Sequence, residues 1–62
     1  MDWSTFVKKV YETLDCNDSF IEKVLWKDKD KLELECVVLE GGYEPCRMKF
    51  WADGDTVEGG YR

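Results

Sequence analysis

The fold is decided by residues 31–61, which read KLELECVVLEGGYEPCRMKFWADGDTVEGGY. Two runs in this stretch, 32–39 and 46–52, place an apolar side chain at every second position. This period of two is typical of β-strands that bury one face. Turn residues follow each run, and a third alternating run begins at Val57. The stretch therefore predicts three strands joined as an antiparallel meander.

The spacing of the first turn predicts a register for the first two strands. A three-residue loop at 41–43 places Leu34 opposite Phe50, and on the other face it places Glu35 opposite Lys49. Opposite charges in such a cross-strand pair attract one another. The predicted inner face is apolar and consists of Leu32, Leu34, Cys36, Val38, Met48, Phe50 and Val57.

The second turn predicts a register that keeps the same faces. A two-residue type I′ turn at 53–54 places Phe50 opposite Val57 and Lys49 opposite Glu58. The charged ladder then continues onto the last strand. A slip of one residue would turn every apolar side chain to the wrong face, so both turns support one arrangement.

The N-terminal segment predicts an amphipathic helix. Asp2 is a suitable N-cap, because its carboxylate can accept hydrogen bonds from the first-turn amides. Residues 17–19 have the composition of a helix stop and turn. The apolar residues of the helix lie on one stripe: Trp3, Phe6, Val7, Val10, Tyr11 and Leu14.

Residues 20–27 allow two interpretations. Ser19 and Glu22 have the spacing of a helix capping box, which predicts two helices followed by a three-stranded sheet. Aromatic and β-branched residues before a charged turn favour instead a strand over 21–27. The preferred fold class is α+β, with one N-terminal amphipathic helix packed on a four-stranded antiparallel meander. We expect a single domain over 1–62 and fraying of the end at 59–62.

Charge and composition restrict the classes of function. The chain has fourteen acidic and nine basic side chains, for a net charge of −5. The sequence shows no basic patch, so we expect no direct binding to nucleic acid. No apolar run approaches the roughly 20 residues that a membrane helix needs. An odd number of cysteines and an N-terminus unlike a secretory signal argue against a disulfide framework. We therefore expect a cytoplasmic, reducing setting and no membrane partner.

The residues that catalysis usually needs are missing. There is no histidine, so Ser/His/Asp and Cys/His arrangements cannot form within the chain. Cys16, Cys36 and Cys46 lack the close pairing of zinc ligands, and the last two are predicted to be small inward-facing residues. One helix on one sheet also predicts little room for a pocket of about 300 Å³. We expect no enzyme activity, no cofactor and no metal.

The outer face of the predicted sheet is more apolar than a solvent-exposed face needs to be. A tryptophan beside an arginine resembles the composition of an interaction hot spot, so Trp51 is the predicted anchor for a partner protein. The apolar residues around it are Leu25, Val37 and Leu39, and the predicted charged rim is Arg47, Lys49, Glu33 and Glu35.

The expected function is non-catalytic protein binding. By analogy, a small acidic domain rich in aromatic residues suits an inhibitor or adaptor, including the anti-defence proteins of phages and mobile elements. One alternative is a structural homodimer joined through the same face. The other is an acidic mimic of nucleic acid that blocks the basic groove of a nucleic-acid-binding enzyme. The acids of that alternative are Asp53, Asp55, Glu58, Glu40 and Glu44.

Overall fold

One helix and four strands make up the chain in the computed structural model, which describes residues 1–41 and 44–61. They are α1 (Trp3–Cys16), β1 (Ser19–Asp28), β2 (Glu33–Glu40), β3 (Pro45–Asp53) and β4 (Thr56–Tyr61). The strands pair in the order β1-β2-β3-β4, each antiparallel to the next. α1 contacts both edge strands, β1 and β4. The predicted α+β architecture is confirmed, and residues 20–27 belong to a strand.

The helix begins and ends as its sequence predicts. Asp2 is the N-cap, and its Oδ1 accepts a hydrogen bond from the backbone N–H of Thr5 at 2.8 Å. Hydrogen bonds from the side chain and backbone of Thr5 lower the pKa of Asp2. The buried face of the helix is narrower than predicted, because Tyr11 is exposed.

The core lies between the helix and the inner face of the sheet. Burial raises the pKa of the Cys36 thiol to about 11, with smaller contributions from Cys46 and Glu35. Cys36 is thus the small core residue that its position predicts. The buried apolar residues of this core are Phe6, Val10, Leu14, Leu34, Cys36, Val38 and Phe50.

The predicted register of β2 and β3 is confirmed. Leu34 lies opposite Phe50 and Glu35 lies opposite Lys49, and the other pairs of these two strands follow the same register. Gly42 and Tyr43 of the predicted loop lie outside the described residues. Cys46 faces the core side but is only half-buried, since it lies close to the end of its strand.

The second turn is shifted by one residue from its prediction. The two central residues are Gly54 and Asp55, and Asp53 pairs with Thr56. Gly54 has a φ of +64°, whereas Asp55 does not have a positive φ. A positive φ at the first central position alone is typical of a type II′ turn, which places glycine there. The predicted type I′ turn at 53–54 is therefore wrong.

Side-chain volume explains the shifted register. Phe50 lies opposite Gly59 and not opposite Val57. A Cβ atom on Gly59 would lie only 2.8 Å from Cε1 of the Phe50 ring. The ring of Phe50 thus occupies the space that glycine leaves, and the register shift of two residues keeps every side chain on its predicted face.

The predicted charge ladder does not reach β4. Glu58 lies opposite Trp51, and Lys49 lies opposite Gly60. Nζ of Lys49 instead approaches Oε1 of Glu33 at 3.7 Å. Residues 59–61, which were expected to fray, continue the pairing of β4, while residue 62 lies outside the described residues.

β1 is longer than the predicted strand and is irregular. Its pairing with β2 shifts twice, so that Glu22 and Leu25 are the extra residues of two bulges. Leu32, predicted to begin the next strand, is instead a turn residue with a φ of +54°. Its side chain still packs against the core, and its carbonyl oxygen accepts a hydrogen bond from the N–H of Ala52 at 3.1 Å.

Candidate protein-binding surface

Aromatic and aliphatic side chains share the sheet face opposite the helix, which we call the outer face. Pairing with outward residues of β2 places Phe20 and Trp26 of β1 there. Phe20 is 51% exposed and Trp26 is 39% exposed. The half-buried apolar residues on the same face are Val37, Leu39 and Trp51.

A buried carboxylate lies in the middle of the outer face. Glu35 is only 6% exposed, although the strand alternation directs its side chain away from the core. Its Oε1 accepts a hydrogen bond from Nε1 of Trp26 at 2.7 Å. A bond to a charged group stabilises by about 1.5–3 kcal/mol, which fixes the orientation of the indole ring. One edge of the Trp26 ring is thereby held against the sheet.

A lysine reinforces the same cluster. Nζ of Lys49 lies 5.6 Å from the centre of the Trp26 ring and 3.7 Å from Oε1 of Glu33. Cation–π contacts of this kind contribute about 0.5–1 kcal/mol at exposed sites. Lys49 and Glu33, two of the predicted rim residues, therefore contact one another, whereas Arg47 on the same strand is exposed.

Trp51 has a structural role besides its predicted role as an anchor. Its ring atoms Cη2 and Cζ3 lie 3.7 and 3.9 Å from the position that a Cβ on Gly60 would occupy. The indole therefore covers the backbone of β4 where that strand has no side chain. This packing leaves Trp51 half-buried, and less exposed than Trp26.

The bulges of β1 change which of its residues reach the outer face. Leu25, predicted to lie beside Trp51, is the extra residue of a bulge and has no partner in the register. If side chains alternated strictly along β1 with Leu25 on the outer face, as predicted, Phe20 and Trp26 would lie on the inner face. Each bulge shifts that alternation by one residue, so these two exposed aromatic residues were missed. No sequence pattern marks the position of either bulge.

The predicted acidic residues are exposed but lie at different ends of the sheet. Asp53 precedes the turn between β3 and β4 and Asp55 lies within it, while Glu40 and Glu44 lie near the opposite end of β3. The nine residues of β3 span roughly 27 Å. Glu58 faces the same side of the sheet as Trp51. The five acids therefore do not form one compact cluster.

The structure contains more open space than the sequence predicts. Two clefts of about 370 and 390 Å³ lie along the boundary between helix and sheet, so the expectation of little room is wrong. Neither cleft coincides with the outer face. Within residues 1–41 and 44–61, no three potential ligands lie close enough to hold a metal ion. No helix in that part of the chain has the length and hydropathy to cross a membrane.

Comparison with known proteins identifies no relative of this chain. No protein-family model matches the chain, and no significant similarity is found to a curated protein or to a solved structure. The functional argument therefore depends on the surfaces of the molecule.

Proposed function

We propose that this protein is a non-catalytic binding module that docks a partner protein on its outer face and acts as an inhibitor or adaptor. The observation that carries this proposal is the exposure of Phe20 and Trp26 on one sheet face, on which Trp51 is half-buried. Large apolar side chains exposed together on one face of a soluble protein can mark an interaction site.

The arrangement of the outer face supports a role in binding. The hydrogen bond to Glu35 and the contact with Lys49 hold the Trp26 ring in one orientation. A side chain that is already ordered loses less conformational entropy when a partner covers it. Aromatic residues in fixed positions are the usual energetic centres of protein interfaces.

The size of the molecule sets the extent of the interface. A standard interface buries about 800 Å² on each partner. That area is about a fifth of the 4250 Å² of accessible surface of this chain. An interface of this size would extend across several strands of the outer face, and Phe20 on β1 and Glu58 on β4 mark its two sides.

Charge favours a different protein over a second copy. Each chain carries a net charge of −5, so two copies repel one another at low ionic strength. Arg47 and Lys23 on the outer face are exposed and can pair with carboxylates of a partner. The homodimer is therefore an outcome that the test must distinguish.

The test compares two exposed aromatic residues on opposite layers. Phe20→Ser removes an aromatic side chain from the outer face, and Tyr11→Ser removes one from the helix. Each variant and the wild type are used to capture proteins from nuclease-treated cytosol, followed by mass spectrometry. We expect a protein that wild type and Tyr11→Ser retain and that Phe20→Ser loses. Its direct binding is then measured with purified components.

Other results would contradict the proposal. Equal capture by all three proteins would remove the outer face as the docking site. A wild-type dimer that Phe20→Ser converts to a monomer, measured by light scattering at several concentrations, would show the structural homodimer instead. Capture that is lost on reversal of Asp53 and Asp55 to lysine, but not with Phe20→Ser, would favour the nucleic-acid mimic.

A further inference from the structure

The two edge strands of the sheet, β1 and β4, differ in how readily a further strand could pair with them. β1 carries two bulges, at Glu22 and Leu25, which interrupt the regular spacing of its edge amides. It also carries Lys23 and Lys27. Bulges and lysines are devices by which natural sheets prevent pairing between edges. The β1 edge is therefore protected.

β4 lacks these devices. Its ladder with β3 runs from Thr56 to Tyr61 without a register shift, and this segment contains no lysine, arginine or proline. The pair Asp53–Thr56 closes the two-residue turn, and such a pair exchanges hydrogen bonds. The amides of Val57 and Gly59 therefore point away from β3. No strand in residues 1–41 or 44–61 pairs with that side of β4.

A cleft of about 370 Å³ borders the same edge, between α1 and β4. A strand added beside β4 would direct alternate side chains towards this cleft and the others towards Glu58 on the outer face. The edge thus offers backbone groups together with a recess for side chains. The residues that line the cleft are Lys9, Glu12, Thr13, Cys16, Asp55, Thr56 and Val57.

The charges around this edge are mostly negative. Among the described residues, Glu12, Asp55 and Lys9 line the cleft, and the exposed carboxylates of Asp53 and Glu58 lie beside it on the last two strands. The carboxylates at the cleft and beside it favour lysine or arginine on an incoming segment. A second copy would bring the same carboxylates to the edge, and like charges across paired strands repel.

We propose that β4 is a docking edge that accepts an extended, lysine- or arginine-bearing segment of a partner protein as a fifth strand. Main-chain hydrogen bonds to Val57 and Gly59 would supply affinity, and the carboxylates around the edge would select basic side chains. This edge meets the outer face at Glu58, but its backbone groups and its cleft are separate from the side chains of Phe20 and Trp26. Either proposal can therefore fail without the other.

The probe is a blocked octapeptide in which lysine alternates with threonine or valine. The matched peptide carries glutamate at each lysine position. Binding is followed by ¹⁵N–¹H spectra and by hydrogen exchange of the full chain at low salt. We expect the lysine peptide to shift the amide signals of Val57 and Gly59 and to slow their exchange, and the glutamate peptide to do neither.

Two substitutions at Val57 isolate the backbone contribution. Val57→Pro removes the outward-pointing N–H, while Val57→Ala removes most of the same side chain and keeps the N–H. An edge position whose N–H faces solvent tolerates proline. One hydrogen bond corresponds to roughly 2–12-fold in affinity, so we expect Val57→Pro to bind the lysine peptide about tenfold more weakly than Val57→Ala does.

A charge reversal tests the edge even if the proline variant does not fold. Glu58→Lys leaves the backbone unchanged at an exposed position. We expect it to weaken the lysine peptide several-fold and to strengthen the glutamate peptide. Equal binding of the two peptides to wild type, or shifts confined to the β1 amides, would overturn the proposal. So would concentration-dependent protection of Gly59 in the protein alone, because it would show that the edge pairs with a second copy.

Discussion

Replacing Gly59 by alanine tests the register that the structure assigns to β4. A Cβ atom there would lie 2.8 Å from Cε1 and 2.9 Å from Cδ1 of Phe50. Carbon atoms prefer separations of about 3.5–4.0 Å, so either the ring or the strand must move. Phe50 is only 1% exposed and packs within the core, which leaves the ring little freedom. Overpacking of this kind costs about 1–3 kcal/mol.

The matched control is the neighbouring glycine. A Cβ atom on Gly60 would lie 3.7 Å from the Trp51 ring, which is an ordinary contact. Both alanines restrict the unfolded chain to a similar extent, and this stabilises by about 0.4–1 kcal/mol where the backbone is compatible. That gain cancels between the variants. The difference in unfolding free energy between Gly60→Ala and Gly59→Ala therefore reports the clash, which we expect to be about 2 kcal/mol.

Urea unfolding followed by tryptophan fluorescence measures this difference, and thermal unfolding provides a second value. For a chain of this size, 2 kcal/mol corresponds to roughly 8–16 °C in Tm. Phe50→Leu in the Gly59→Ala background should remove most of the clash, which a double-mutant cycle would show. Equal stability of the two glycine variants, within about 0.3 kcal/mol, would refute the Phe50–Gly59 pairing and with it the register of β4.

Two further predictions concern buried polar groups. Trp26→Phe keeps an aromatic side chain but replaces the indole by a smaller phenyl ring without the N–H that donates to Oε1 of Glu35, so we expect a loss of about 1.5–3 kcal/mol in urea unfolding. Trp26→Phe combined with Glu35→Gln should lose less than the sum of the single changes, and strict additivity would contradict the bond. The raised pKa of Cys36 means that the unfolded thiol loses its proton first as the pH rises. Stability should therefore fall from about pH 9 to about pH 11, by about 1–3 kcal/mol, and Cys36→Ala should show a smaller decline over that range.

Local periodicity accounts for the parts of the fold that were predicted correctly. The helical stripe through Phe6, Val10 and Leu14 and the alternation in β2 and β3 each repeat over several residues. A shift of one residue would expose the core, so the pattern determines which face each side chain occupies. The outer position of Val37 and of Trp51 follows from this alternation alone.

The aromatic residues that dominate the candidate surface could not be assigned in this way. Phe20 and Trp26 reach the outer face because two bulges shift the alternation of β1. A bulge depends on how one strand fits another, and neither Glu22 nor Leu25 is distinctive in sequence. The burial of Glu35 beneath Trp26 likewise requires both strands to be in place.

The sequence by itself determined the fold class and the inner and outer faces of β2, β3 and β4. The period of side chains in a strand is two, so any register shift of two residues preserves those faces. Only the tertiary structure decided between such registers, because the choice depends on volume: the ring of Phe50 fits against Gly59, which has no side chain to displace it.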